Sequence, residues 1–138
     1  SPDIEDNSIS NLVETINKHK IECIIISNTT DVNRENLLDV KKNEKGGLSG
    51  KPIENISTNL IKKFYQETKG NIKIIGVGGV DSGQSAFKKI SAGADAIQLY
   101  TGMVYKGPSV VKNIKKELIS ILKKENLKDI SEAVGISA

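Results

Sequence analysis

Apolar residues along this chain fall into two kinds of segment. Residues 21–26 (IECIII) and 73–77 (KIIGV) are short, mostly β-branched runs with no clean alternation, the pattern of strands covered on both faces. Residues 94–99 make a third strand. Around them, apolar positions recur at helical spacing. Ile9, Leu12, Val13 and Ile16 do so within residues 8–20, and Leu60, Ile61, Phe64 and Tyr65 within 56–70. Ala86, Phe87 and Ile90 mark a third helix. Val110, Val111, Ile114, Leu118, Ile121 and Leu122 trace a last, long one that begins at Lys106-Gly107-Pro108.

Local signals bound these helices. Asn7 or Ser8 is placed to cap the first, Ser57 the second, and Asp81 or Ser82 the third. Gly70 and Gly93 stop the second and third. Pro108 sits near the first position of the last, where a missing N–H costs little, and Lys123-Lys124 suit its C-terminal end. Residues 31–44 read as a polar loop with one helical turn around 36–40, and 127–133 as a short closing helix. The order α, β, α, β, α, β, α predicts an α/β chain with parallel strands: part of an open doubly wound sheet, or the C-terminal half of a (β/α)8 TIM barrel.

Length bears on that choice. A whole (β/α)8 barrel needs roughly 250 residues, whereas this chain has 138. It starts at Ser1 and its only methionine is Met103, so residues 1–138 are expected to be part of one domain whose N-terminal half lies elsewhere. Hydrophobic residues make up 37%, enough for a core, and the net charge of +3 is spread rather than clustered. Nucleic-acid binding is not implied, because that needs a dense basic stripe with stacking aromatics. No apolar run approaches the roughly 18 residues of a membrane span, and no signal peptide is visible. The single cysteine, Cys23, has no internal disulfide partner and, in its apolar run, is expected to be a packed core thiol. His19, at the polar end of the first helix, is expected to be solvated, as are Lys62 and Lys63. No metal site is expected.

The candidate chemistry lies at the strand ends. Gly78-Gly79 follows one strand and Tyr100-Thr101-Gly102 the next, and each leaves backbone N–H groups bare for close approach of a ligand. With the positive end of a helix behind, such turns favour an anion such as phosphate. Two in consecutive βα units resemble the phosphate grip after strands 7 and 8 of a (β/α)8 barrel, and favour the barrel over the open sheet. Ser27-Asn28-Thr29-Thr30 ends the first strand in small hydrogen-bonding residues. They serve equally as a helix or loop cap and as an uncharged ligand site. Gly46-Gly47-Leu48-Ser49-Gly50-Lys51-Pro52 is either a flexible connection or a backbone passing close to a flat or anionic ligand.

Together, Ser27-Asn28-Thr29-Thr30, the 46–52 loop, Ile74-Ile75-Gly76-Val77-Gly78-Gly79 and Gln98-Leu99-Tyr100-Thr101-Gly102 with Lys106-Gly107-Pro108 resemble the dihydroorotate dehydrogenases. The likeness runs nearly end to end. It points to class 2, the membrane-associated, quinone-reducing type, since class 1 enzymes usually lack the Asn-Thr-Thr and Leu-Tyr-Thr signatures. The resemblance implies oxidation of dihydroorotate to orotate in pyrimidine synthesis, with FMN taking the hydride and a quinone reoxidising it.

Carried residue by residue, the resemblance implies that Ser27, Gly50, Gly79, Tyr100 and Thr101 contact FMN and its phosphate. Asn28 and Thr29 hold the pyrimidine. Tyr100 and the 103–108 segment lie near the quinone. A further FMN-contacting lysine falls one position before Ser1. The serine base, the remaining pyrimidine contacts and the membrane helices belong to the absent N-terminal half, so this chain carries no catalytic residue. It is expected to be inactive and poorly folded by itself. Localisation follows as membrane-associated, at the bacterial inner membrane or the mitochondrial inner membrane. Two rivals are another FMN- or phosphate-binding barrel oxidoreductase, such as class 1 dihydroorotate dehydrogenase, and a non-catalytic phosphate-binding half-barrel.

Overall fold

A computed structural model of the chain describes residues 1–32 and 34–138. The elements run α1 (Asp6–Lys18), β1 (Cys23–Ile26), a 3-10 turn (Lys51–Ile53), α2 (Glu54–Thr68), β2 (Lys73–Val77), α3 (Gly83–Ser91), β3 (Ala96–Gln98), α4 (Thr101–Lys106), α5 (Ser109–Lys124) and a closing 3-10 turn (Ile130–Ala133). The strands form one parallel sheet ordered β1-β2-β3. Its register sets Ile24 beside Ile74, Ile26 beside Gly76, and Gly76 beside Ile97.

Successive side chains leave a strand on opposite faces. Ile24, Ile26, Ile74 and Ile97 turn toward the helices, where they join Ile9, Val13 and Ile16 of α1 and Leu60, Ile61 and Phe64 of α2. Gly76 lets that layer close up: a Cβ there would stand 3.0 Å from both Ala94 Cβ and Ile61 Cδ1. A second cluster, Val80, Ala86, Val110 and Ile114, seats α5 on α3. The C-terminal residues return to the helices through Gly135 N–H to Ile90 O at 3.1 Å and Ser137 N–H to Ser91 O at 2.8 Å.

The other face of the sheet is open, which departs from strands covered on both sides. Ile25 is 60% exposed, and Cys23 is exposed rather than a core thiol. Both stand on the face opposite the helices, and no described element covers it. The boundaries shift as well. The first and third strands are Cys23–Ile26 and Ala96–Gln98, shorter than the runs that announce them. Glu5, not Asn7 or Ser8, is the N-cap of α1 and makes no side-chain bond. Ser57 lies inside α2, because the 3-10 turn ahead brings the helix in at Glu54. The third helix starts as expected, with Ser82 its cap in a reciprocal pair with Ser85.

Residues 36–40 form turns rather than helix; Leu37 N–H bonds back to Arg34 O at 3.1 Å and no longer ladder follows. The last helix is α5, with Pro108 as its N-cap rather than its first residue; the glycine-containing turn expected ahead of it instead holds a short helix, α4, that ends at Gly107 with φ 71. Val111, at 40% exposure, leaves the buried stripe. Ile61 is fully buried between sheet and helices. Ile61→Ala is expected to lower stability by about 2–5 kcal/mol through lost contacts and a residual cavity. Urea unfolding of the protein carrying this segment checks it; a change in the midpoint without a change in slope is the expected form.

Candidate functional site

All three strands point their C-terminal ends the same way, and there the motifs meet. Ser27, Asn28 and Thr29 leave β1, Gly78 and Gly79 leave β2, and Leu99 and Tyr100 lead from β3 into α4. The glycine loop is drawn over this end by two backbone bonds: Thr30 N–H to Leu48 O at 3.1 Å and Leu48 N–H to Thr30 O at 2.7 Å. Thr30 is itself fully buried, and its hydroxyl donates to the Asp3 carboxylate. On the far side the hydroxyls of Ser49 and Thr101 lie 2.9 Å apart. The result is two adjoining cavities. One of 290 Å3 is lined by Ser27, Asn28, Thr29, Gly78 and Tyr100 among others, and one of 520 Å3 by Lys51, Asp81, Tyr105 and Lys106. Gly50, Gly79 and Thr101 border both. Small-molecule sites typically span roughly 300–1,000 Å3. Ser27, Asn28, Thr29, Gly50, Gly79, Tyr100 and Thr101, the residues expected to contact ligands, therefore all line this hollow of two adjoining cavities.

The chemical capacity of the hollow is in its free donors. Asn28 Oδ1 accepts from Thr29 N–H at 2.8 Å, which leaves the Asn28 amide nitrogen without a partner among the described residues. The Thr29 hydroxyl likewise has none there. Among the described residues no acceptor reaches the N–H groups of Gly79 or Val80. The first N–H groups of α4 have no partner in their own helix either. Gly79 is held at φ 72, and a Cβ on it would meet Glu54 Cβ at 2.6 Å, so only glycine fits this turn.

The positive end of α3 is not part of that offering. Ser82 and Ser85 cap it, and Glu117 of α5 accepts from Gly83 N–H at 2.5 Å. The helix N-terminus expected behind Gly78-Gly79 is thus already satisfied by the chain, and the bare N–H groups belong to the turn itself.

A line of charges runs along the rim. Lys51 pairs with Glu54 and stands 3.7 Å from Asp81; Lys88 reaches Glu54 at 3.1 Å and Lys106 reaches Asp81 at 3.0 Å. Burial alone pushes the Glu54 carboxyl up, but hydrogen bonds from Lys51 and Lys88 outweigh it and hold it below its ordinary 4.5. Burial pulls Asp81 the same way, and the hydrogen bond from Lys106 with the charge of Lys51 holds it down. Lys51 is raised chiefly by its bond to Glu54. The sequence reading missed this network and the fully buried Lys89 below it. The signal was available: Lys89 lies three residues after Ala86 and one before Ile90, on the apolar side of α3.

With this geometry in place, comparison with known proteins is informative. Residues 1–122 match the family model of dihydroorotate dehydrogenase. Over 99% of the chain, identity is 45% to a dihydroorotate dehydrogenase (quinone) of Trichodesmium erythraeum and 40% to the mitochondrial dihydroorotate dehydrogenase (quinone) of Mus musculus. The chain spans only 38% and 34% of those two proteins. The crystal structure of DHODH in complex with ferulenol from Eimeria tenella superimposes with a TM-score of 0.96 at 35% identity, over 99% of this chain and 36% of that one. The three-stranded sheet with its helices is accordingly a segment of a TIM barrel.

Glu54 ties two lysines to the turn that shapes the hollow. Glu54→Gln is expected to cost about 1–3 kcal/mol at neutral pH, the scale of a lost charged hydrogen-bond partner at a buried position. Because the folded carboxyl is held low, its contribution is complete above 4.5 and lost as pH falls through the lower folded value. Unfolding measured at neutral pH and in acid steps below 4.5 checks this, with the gap between wild type and variant closing on acidification.

Proposed function

The chain belongs to the dihydroorotate dehydrogenase family, and on that premise we propose that it is the C-terminal part of the FMN-binding barrel of a quinone-dependent member. The complete protein would oxidise dihydroorotate to orotate in pyrimidine synthesis and pass the electrons to a quinone. The observation that carries this reading is the convergence of Ser27–Thr29, Gly50, Gly79, Tyr100 and Thr101 on one hollow with unspent donors.

The hollow suits FMN on its own chemistry. Bare N–H groups on Gly79 and Val80, with the first turn of α4 opposite, form a cradle for a phosphate. Gly50, at φ 78, brings the loop against Thr101, whose Cγ2 would stand 2.9 Å from a Cβ there, and both residues border the hollow. Ser27 and Tyr100 flank the space for a ring. Bound there, FMN supplies the hydride acceptor for the pyrimidine. Asn28 and Thr29 offer an amide N–H and a hydroxyl, donors that match the carbonyl and carboxylate oxygens of dihydroorotate without a second buried charge.

The remaining parts of the reading rest on what surrounds the hollow. Tyr100 and Tyr105 are 80% and 85% exposed, with Met103 and Val104 between them, an apolar strip suited to a quinone. The uncovered sheet face around Ile25 suits the remaining strands of the barrel. The serine base is assigned to that remaining part, since among the described residues the serines lining the hollow, Ser27 and Ser49, bond only Asn28 O and the Thr101 hydroxyl, neither of which would activate them. Among the described residues no helix is long and apolar enough to cross a membrane. Membrane association is therefore assigned to the N-terminal region as well.

An anaerobic titration of the complete protein tests the reading. A flavin band that bleaches with dihydroorotate, and returns with a quinone but not with fumarate, is the expected result. Return with fumarate instead marks a class 1 enzyme, and a band indifferent to dihydroorotate rejects the substrate. Asn28→Ala and Thr29→Ala should each raise the KM for dihydroorotate about 5- to 100-fold, one or two lost hydrogen bonds' worth, at unchanged flavin content.

A further inference from the structure

Lys89 is the largest fully buried side chain of the protein, and the reaction just proposed does not use it. A lysine ammonium has three N–H donors and no acceptor. All three have partners here, and every partner belongs to the first turn of α2: Glu54 O at 3.1 Å, Thr58 Oγ1 at 2.9 Å, and Ser57 Oγ. None is a carboxylate, so the charge is solvated by dipoles rather than neutralised. A cation near a helix N-terminus is opposed by the helix dipole, and burial adds a desolvation cost. A methionine or leucine would fill the same space without either.

What the arrangement accomplishes lies one bond further on. The Ser57 hydroxyl has a single proton and two acceptors at 3.4 Å, Glu54 O and Gly78 O. Lys89 and Thr58 already donate to Glu54 O, at 3.1 and 2.7 Å. Lys89 also donates to Ser57, which directs the Ser57 proton to Gly78 O. The chain Lys89 to Ser57 to Gly78 thus fixes the peptide unit that carries the bare Gly79 N–H and leads to that of Val80. The same turn is packed on the same helix end, for a Cβ on Gly78 would stand 2.8 Å from Ser57 Oγ and one on Gly79 2.7 Å from Glu54 Cα.

We propose that Lys89 is a positioning residue for the phosphate cradle: it locks the first turn of α2 beneath Gly78-Gly79 and places a buried positive charge behind the bare N–H groups. It therefore sets affinity for the phosphate end of the flavin and not for its ring. This rests on the FMN reading of the hollow. Burial pushes the Lys89 ammonium down to about 8, against the pull of Glu54 and with the help of Lys88. Its other charged neighbours are Lys51 and Asp81, joined to Glu54 along the rim. Glu54 and Asp81 are held low and Lys51 high, so their charges stay constant where Lys89 titrates.

The test compares FMN with riboflavin, which shares the ring and lacks the phosphate, by fluorescence titration of the complete apoprotein. Lys89→Met is expected to weaken FMN about tenfold or more, the scale of a lost charged interaction, and to leave riboflavin unchanged. Lys89→Arg is expected to restore most of the FMN affinity. In wild type the ratio of FMN to riboflavin affinity should fall as pH rises through about 8, an arm that needs no variant and decides the matter if Lys89→Met does not fold. Equal weakening of both flavins, or a ratio flat across that pH range, overturns the proposal. Wild type with no preference for FMN over riboflavin rejects the FMN reading itself, whereas a preference undiminished in Lys89→Met rejects only the role of Lys89.

Discussion

The contact between the Gly78-Gly79 turn and the first turn of α2 is the constraint on which the site depends. Two backbones meet there with no room for a Cβ, since one on Gly79 would lie 2.9 Å from Glu54 N. That closeness leaves the N–H groups of Gly79 and Val80, which border the hollow, without an acceptor among the described residues. It also explains the charge pattern. Glu54 and Ser57 are buried by the contact, and each buried polar group then needs a partner. Lys51 and Lys88 answer the carboxylate, and Lys89 answers the carbonyl and the hydroxyls. Lys51 ends the glycine loop and Lys88 and Lys89 belong to α3, so the same bonds tie both segments to α2.

How far this was legible in the sequence depended on the range of the interaction. The parallel α/β order, the β2 strand, the Ser82 cap and the glycine turns are local signals, and the structure has them where local chemistry sets them. The motifs at the three strand ends line adjoining cavities because parallel strands bring their C-terminal ends together. Ser57 failed as a cap because the preceding 3-10 turn, held by Ile53 N–H to Gly50 O at 3.1 Å, starts the helix earlier. Cys23 failed as a core thiol because burial of a sheet face depends on what lies across from it, which no periodicity encodes. Lys89 escaped notice because lysine reads as solvated wherever its partners are distant in sequence; its three acceptors lie 31 to 35 residues away.

The chain covers about a third of the relatives it matches, 38% and 34% of two of them, yet its three strand ends build a pair of adjoining cavities. That follows from barrel geometry, in which each βα unit delivers its loop to the same rim. Neighbouring units therefore build a coherent sector of the site. Here the sector offers backbone donors at one end and an uncharged amide and hydroxyl at the other. The exposed apolar strip of Tyr100 and Met103 to Tyr105 borders the two cavities through its tyrosines. On the proposed function a phosphate, a pyrimidine and a quinone would make three different chemical demands, and these three surfaces suit them in kind.

On the proposed function, the bare N–H groups of the Gly78-Gly79 turn receive the flavin phosphate. The most direct measurement is the amide spectrum of the complete apoprotein labelled with 15N-glycine, recorded with FMN and with riboflavin. The account predicts that the Gly79 resonance moves downfield with FMN and stays near its apo position with riboflavin. A Gly79 amide unmoved while FMN is bound would contradict it.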